Sequence, residues 1–225
     1  MNSSANRRLK KLLQSAVTIL AVIGVAVVVR RSLIIAGVLL PTVHPIYGVF
    51  DSDFALHPAI TFLHIIPGAL FMMFAPTQFI AKIREKHLWF HRLAGRILVV
   101  CGLIIGITAL IMSLQMAIGG ANEMAATLLF DILFLYSLGK GFYHIRRGEI
   151  AKHREWMIRM FAIGLAIATV RPIVGMFFAL TKLSPHEFFG TAFWLGFTIH
   201  LIIAEAWINY TRAKELSATP KHAIQ

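Results

Sequence analysis

The chain has 225 residues, of which 58% are hydrophobic and only 14% are charged, and its mean hydropathy is +0.74. A soluble domain carries roughly a quarter charged residues, so no water-facing surface would accommodate this much apolar material. The formal charge of +12 does not indicate nucleic-acid binding, because the lysines and arginines stand in short clusters between apolar runs, where they orient transmembrane helices. We therefore expect one all-α integral membrane domain over residues 1–225, with no nucleic-acid partner.

Six apolar segments approach the ~20 residues that an α-helix needs to cross a bilayer. They predict a six-transmembrane-helix bundle with helices at about 12–29, 58–80, 93–116, 124–143, 156–180 and 188–207. The first segment follows four basic residues, as a signal peptide would, but no small-residue cleavage motif follows it. We interpret it as a retained signal anchor. Residues 211–225 are predicted to form a solvated cytoplasmic tail.

Basic residues are distributed unequally between the two ends of these segments. With the N-terminus inside, the N-terminal tail, the connections at 81–96 and 140–159 and the C-terminal tail hold 18 of the 22 lysines and arginines. This excess predicts that both termini are cytoplasmic. The single cysteine, Cys101, lies within an apolar run and cannot form an intrachain disulfide.

Two opposite charges are expected deep in the membrane, where an unpaired charge costs several kcal/mol. Asp131 in the fourth predicted helix and Arg171 in the fifth lie at about the same depth. We expect them to form an intramembrane charged pair. The pair either fixes the register of its helices or handles a proton or an anion.

Two histidines that stand beside glycines on different predicted helices suggest haem. A b-type haem needs two neutral imidazoles at matched depth and small residues that admit a flat macrocycle. His64 with Gly68 one turn later, and His200 with Gly196 one turn earlier, have this pattern. The structural alternative is that each histidine makes an interhelical hydrogen bond.

A second histidine pair is predicted at the cytoplasmic rim, where His91 and His153 stand at the first turns of two helices. Haem propionates or anionic lipid head groups would need cations there. Four arginines flank the two histidines, namely Arg92, Arg96, Arg154 and Arg159. The alternative is that these histidines only cap or bridge loops.

The segments "FLHIIPGALFMMFAPTQF", "HRLAGR", "HREWMIRMFA" and "TVRP" resemble the domain-of-unknown-function 2306 family of predicted bacterial membrane proteins. The resemblance covers about residues 57–210 and implies a helical bundle in a bacterial inner membrane, with no assigned activity. His200 is not part of the family pattern. The matching positions are His64, Gly68, Gln78, His91, Arg92, Gly95, Arg96, His153, Arg154, Trp156, Met157, Arg159 and Arg171.

The sequence leaves two functions open. One is a haem b-binding protein of the inner membrane that serves in electron transport or haem handling, as an oxidoreductase component. The other is a transport or accessory and assembly subunit, with no cofactor and a structural Asp131–Arg171 pair. The expected partners are the lipid bilayer, anionic lipid and other membrane subunits. No CxxCH, HExxH or Walker motif is present to support covalent haem, zinc hydrolysis or phosphoryl transfer.

Overall fold

A computed structural model describes residues 3–39 and 49–218 of the chain, with the side chains of residues 7–39 and 50–213. Every regular element in these residues is helical. A 3₁₀ turn, Ala75–Phe79, follows the third α-helix. The α-helices are α1 Ser3–Ile35, α2 Val49–Leu56, α3 Pro58–Phe74, α4 Ala81–Lys86, α5 Leu88–Gln115, α6 Gly120–Arg146, α7 Ile150–Leu180 and α8 Pro185–Ala218.

Six of the described helices are long and apolar enough to cross a membrane: α1, α3 with its 3₁₀ turn, α5, α6, α7 and α8. Helices suit hydrocarbon because they satisfy their backbone hydrogen bonds internally. The prediction of six spanning helices is confirmed. The helices are longer than predicted, because hydropathy marks the apolar part whereas helical hydrogen bonding continues through neighbouring polar residues. The expected tail at 211–225 thus begins as helix, and its residues 219–225 lie outside the described part.

Five long helices form a ring. Helix α1 packs against α3 and α7, α3 packs against α5, α5 against α6, and α6 against α7, while α8 packs against both α6 and α7. The end of α8 meets the start of α7, where Arg212 pairs with Glu155. We call the end of the bundle where α5 and α7 begin the basic end. The other end, where α2 lies, is called the α2 end.

Phenylalanines fill the core between the helices of the ring. The ring of Phe71 lies 6.0 Å from that of Phe134 and 6.2 Å from that of Phe161, measured between centroids. A Cβ at Gly164 would come 2.7 Å from the Phe71 ring, so only glycine allows α3 and α7 to pack this closely here.

The connection between α6 and α7 is a tight turn at the basic end. Gly148 has a φ of +73°, which glycine adopts without strain. Its amide donates to the carbonyl of Ile145 at 3.1 Å, and the amide of Glu149 donates to the carbonyl of His144 at 3.0 Å. This pair of bonds is a Schellman cap, which satisfies carbonyls at the end of α6.

The two short helices, α2 and α4, were not predicted. They have 8 and 6 residues, too few to produce an apolar segment of membrane-spanning length. Helices this short gain most of their stability from tertiary contacts rather than from their own sequence.

Candidate functional site

A cavity of about 240 Å³ lies inside the helix ring, toward the α2 end. Its walls come from α1, α3, α5, α6 and α7, and α2 and the first turns of α8 close it. Most of its lining side chains are apolar. Five ionisable residues also line it, namely Arg31, His64, Glu123, Asp131 and Arg171. Ionisable groups are rare in membrane-spanning helices and mark functional sites by default, so this cavity is the candidate site.

The structure brings Asp131 and Arg171 to the same cavity but does not join them. No salt bridge links them in the described part of the chain, and the Asp131 Oδ2 atom is buried without a hydrogen-bond partner. The carboxylate that interacts electrostatically with Arg171 is that of Glu123. Equal depth of the two Cα atoms was a poor guide because a long arginine side chain can place its guanidinium group well away from its own Cα atom. The expected direct ion pair is therefore corrected to two separate charged groups.

Arg31 is a cavity residue that the sequence analysis did not identify. Its Nη2 atom donates to the Phe50 carbonyl at 2.7 Å, and its guanidinium carbon lies 3.5 Å from the centroid of the Phe54 ring. Its Nη1 atom is buried and has no hydrogen-bond partner among the residues that the structure describes. Arg31 and Arg171 also interact electrostatically, so two cations lie near each other at one end of the cavity.

The neighbouring residue, Arg30, holds α2 in place. It makes two hydrogen bonds with the Asp51 carboxylate, which is buried, whereas the Arg30 side chain is about half exposed. The Phe54 carbonyl also accepts a hydrogen bond from Thr61 of α3 at 3.0 Å. These contacts fix α2 across the end of the cavity.

His64 lines the cavity and bonds to α5. Its Nδ1 atom lies 2.9 Å from the Thr108 hydroxyl oxygen, and that hydroxyl donates its single proton to the Ile104 carbonyl at 2.6 Å. Thr108 must then accept from His64, so the Nδ1 atom carries the proton. His64 also has a hydrogen bond with the Ile105 backbone, so its contacts tie this cavity residue to α5.

His200 lies outside the cavity that His64 lines. Its Nε2 atom is 2.7 Å from the Thr169 hydroxyl, between α8 and α7, and it does not line the cavity. His200 thus makes the interhelical contact that was the structural alternative. His64 lines the cavity and His200 does not, so the structure does not bring these two histidines to one site, and a haem shared by them stays a prediction.

The second histidine pair is brought together at the basic end. His91 of α5 and His153 of α7 lie within electrostatic range of each other. The Nδ1–H of His153 donates to the Gly141 carbonyl at 2.8 Å, whereas His91 Nδ1 is buried and has no hydrogen-bond partner among the described residues. The described residues contain no group of three or more histidine, cysteine or carboxylate side chains able to hold a metal ion. Haem binding at this pair stays a prediction.

The four arginines expected around that pair have different environments. Arg159 makes two hydrogen bonds with Glu205 of α8, at 2.5 and 2.9 Å, so its charge is compensated. Arg92 and Arg96 are exposed and form no ion pair in the described part of the chain. Arg154 is half-buried on α7. The cations available to a ligand at this end are therefore on α5 rather than on α7.

Two site residues, Arg31 and Glu123, were not predicted from the sequence because of where they stand in it. Each stands near the end of an apolar run, where hydropathy assigns charged residues to the membrane surface. The available signal for Arg31 was that apolar residues continue past it to Leu39. For Glu123, whose Oε2 accepts from the Gly119 amide at 2.7 Å, the signal was its position three residues into a helix.

A family model described as "Predicted membrane protein (DUF2306)" matches residues 61–208. The match confirms the resemblance noted from the sequence motifs and includes four of the five ionisable cavity residues. No curated protein and no solved structure matches the chain.

Proposed function

Because the chain belongs to the domain-of-unknown-function 2306 family of membrane proteins, whose description names no reaction, we propose a function from the cavity. The protein binds a small amphiphilic acid inside the membrane, with an anionic head group and a short apolar tail. It serves as a carrier or transporter of that compound. This proposal refines the transport alternative that the sequence left open.

The observation that carries the proposal is the buried Nη1 atom of Arg31, which has no hydrogen-bond partner within residues 3–39 and 49–218. Arg31 lies near Arg171 on the cavity wall. A buried donor without a partner costs roughly 1–3 kcal/mol, and more when the group is charged. A carboxylate between the two guanidinium groups would accept hydrogen bonds from both. Arginine suits this role because its planar guanidinium group can donate two parallel hydrogen bonds to the two oxygens of a carboxylate.

The electrostatic neighbours of the two cavity arginines also favour an anion. Arg31 interacts with Arg30, Arg171 and Asp51, and Arg171 interacts with Arg30 and Glu123. Asp51 is engaged by Arg30, and Glu123 accepts the Gly119 amide. Asp131 of the same cavity forms no salt bridge with either arginine in the described residues, so a ligand carboxylate would add an anionic partner for the two guanidinium groups.

The rest of the cavity suits an apolar tail of limited length. Beyond the arginines most of its lining side chains are apolar, chiefly phenylalanine, methionine and isoleucine, and its volume is about 240 Å³. His64 and Asp131 are polar residues of the same wall. A short aliphatic or hydroxylated tail fits this space.

One observation supports the alternative function in haem binding, namely the proximity of His91 and His153. The visible absorption spectrum of the purified protein separates the two functions. A Soret band that disappears in a His91→Ala, His153→Ala variant would favour haem at the basic end, whereas a colourless protein leaves the cavity function.

The proposal is tested by titrating octanoate into the purified protein in nanodiscs and measuring the heat of binding. The informative variant is Gly68→Leu, because Gly68 lines the cavity and has no atom within 4 Å of its Cβ position. The leucine side chain would occupy the cavity without disturbing its walls, so octanoate binding should be abolished. Arg171→Gln should weaken binding by about 10- to 100-fold, the usual effect of losing a charged hydrogen bond.

The matched control is Gly139→Leu. Gly139 is exposed on α6, has no atom within 4 Å of its Cβ position and does not line the cavity. The Gly139→Leu variant should therefore bind octanoate as the parent does. Equal binding by the Gly68 and Gly139 variants, or no binding by the parent across a chain-length series from butyrate to dodecanoate, would refute the proposal.

A further inference from the structure

At the basic end, away from the cavity, two buried nitrogen atoms have no hydrogen-bond partner in the described part of the chain. They are Nε2 of Gln78, in the 3₁₀ turn, and Nδ1 of His91, in the first turn of α5. Buried polar atoms without partners are rare in folded proteins, and each one calls for an explanation.

The two side chains belong to one locality. Gln78 Oε1 lies 3.5 Å from the Cβ position of Gly95, and Gly95 follows His91 by one helical turn on the same face of α5. Glycine at this position leaves the space beside the Gln78 amide free of a side chain. The two unpartnered nitrogens therefore flank the same stretch of α5.

The charges around His91 are positive. Its electrostatic neighbours are Arg84 of α4, Arg92 of α5 and His153 of α7. The exposed Arg96 adds a further cation on the same helix.

Most of the carboxylates at this end are engaged elsewhere. Glu205 is held by Arg159, Glu155 by Arg212, and Glu149 by His144 and Lys152. Glu85, beside Arg84 on α4, makes no ion pair in the described residues. The arginines of α4 and α5 thus form a cationic surface around two unused hydrogen-bonding groups.

We propose that Gln78 and His91 bind a phosphate group, with Arg84 and Arg92 neutralising its charge. A phosphate suits the site because its several acceptor oxygens can receive hydrogen bonds from an amide, an imidazole and guanidinium groups at once. The phosphate belongs either to an anionic lipid head group or to a soluble phosphate ion. A site at the end of membrane-spanning helices is accessible to both.

The test has two arms, both on the full-length protein. In the first, native mass spectrometry measures phosphatidylglycerol retained from mixed vesicles of phosphatidylglycerol and phosphatidylcholine. In the second, inorganic phosphate is titrated into the protein in phosphatidylcholine nanodiscs. Retention in the first arm alone identifies a lipid head group, and heat in the second identifies a soluble phosphate.

The informative variant is Gln78→Leu with His91→Leu, which removes both hydrogen-bonding groups. In whichever of the two experiments detects binding by the parent, the affinity of this variant should fall at least about 10-fold, since hydrogen bonds to charged groups are strong. The variant should fold, because replacing unpartnered buried polar groups with apolar ones removes a penalty. A second variant, Gly95→Leu, blocks the space next to Gln78 and leaves both groups in place.

Arg96→Gln is the control for diffuse attraction, because it removes a cation of the same surface without touching Gln78 or His91. It should change binding by less than about 3-fold, as expected of a solvent-exposed charge. The proposal is overturned by any of three results: the control loses as much as the Gln78 and His91 variant, Gly95→Leu binds as the parent does, or neither arm detects binding. A haem Soret band that depends on His91 would also overturn it.

Discussion

Arg30 near the end of α1 forms two hydrogen bonds with the carboxylate of Asp51 in α2, with Nη1–Oδ1 and Nη2–Oδ2 distances of 2.8 and 2.7 Å. The next residue, Arg31, donates to the Phe50 carbonyl and covers the Phe54 ring. Two successive arginines thus hold the eight-residue helix α2 across the end of the cavity. A helix of this length is unstable alone, so its position depends on these contacts.

Asp51→Asn should loosen α2. The substitution removes the charge that Arg30 binds, and because the Arg30 side chain is 47% exposed, we expect a loss of only about 1–2 kcal/mol. Amide hydrogen exchange in Val49–Leu56 should accelerate about 10-fold, as measured by mass spectrometry. Asp53→Asn is the control, since Asp53 makes no ion pair among the described side chains. Similar exchange in both variants would show that the Arg30–Asp51 pair does not hold α2.

The charges in the cavity should couple in a pattern different from the one that the sequence suggested. Glu123→Gln and Arg171→Gln should show a coupling energy of at least about 0.5 kcal/mol in a double-mutant cycle, because these groups interact. Asp131→Asn and Arg171→Gln should be additive within about 0.5 kcal/mol. Unfolding of the purified protein by denaturing detergent provides the free energies. Strong coupling of Asp131 with Arg171 would restore the originally expected ion pair.

The turn between α6 and α7 should weaken in acid. The hydrogen bond with His144, and to a lesser extent that with Lys152, lowers the pKa of Glu149 below its ordinary value of 4.5. A carboxylate whose pKa is lower in the folded state stabilises that state above its unfolded pKa, and the contribution disappears as the pH falls through the folded pKa. We therefore expect this contribution to be constant above about pH 4.5 to 5 and to be lost below that range.

The measurement is the difference in thermal stability between the parent and Glu149→Gln as a function of pH. The difference should be present at neutral pH and should vanish in acid. Glu85→Gln serves as the control, because Glu85 makes no ion pair within the described residues. A Glu149→Gln difference that persists unchanged into strong acid would exclude a role for the ionised carboxylate.

Both termini should be cytoplasmic, because 18 of the 22 basic residues lie at one end of the helices. A reporter enzyme active only in the bacterial periplasm, fused after Gln225, should be silent. The same reporter inserted in the connection between α5 and α6, after Ala117, should be active. The reverse pattern of reporter activity would mean that the bundle has the opposite orientation in the membrane, with the cavity nearer the cytoplasm.

The six spanning helices could be predicted from the sequence because hydropathy is a local property. A run of about 20 apolar residues must cross the membrane or be buried, whatever its neighbours do. The helix ends were less predictable, as α5 shows: it begins at Leu88, before the basic residues of "HRLAGR". Those residues continue the helix although they are too polar to count toward a span.

The candidate site could be predicted only in part. His64, Asp131 and Arg171 were identified because polar residues within apolar runs are conspicuous along the chain. The pairing of Arg171 with Glu123 rather than Asp131 depends on the direction of a long side chain. The approach of α6 and α8, where a Cβ at Gly119 would come 2.6 Å from the Gly190 nitrogen, depends on packing between non-adjacent segments.

By itself, the sequence determined the membrane class, the number of spanning helices and the family, since each follows from residue types read in order. The tertiary structure alone decided that Arg31, Glu123 and Arg171 share one cavity, that His200 does not, and that α2 closes its end. The physical reason is that these contacts join helices far apart in the chain. Their relative rotation and depth are set by the packing of whole faces, which no single segment encodes.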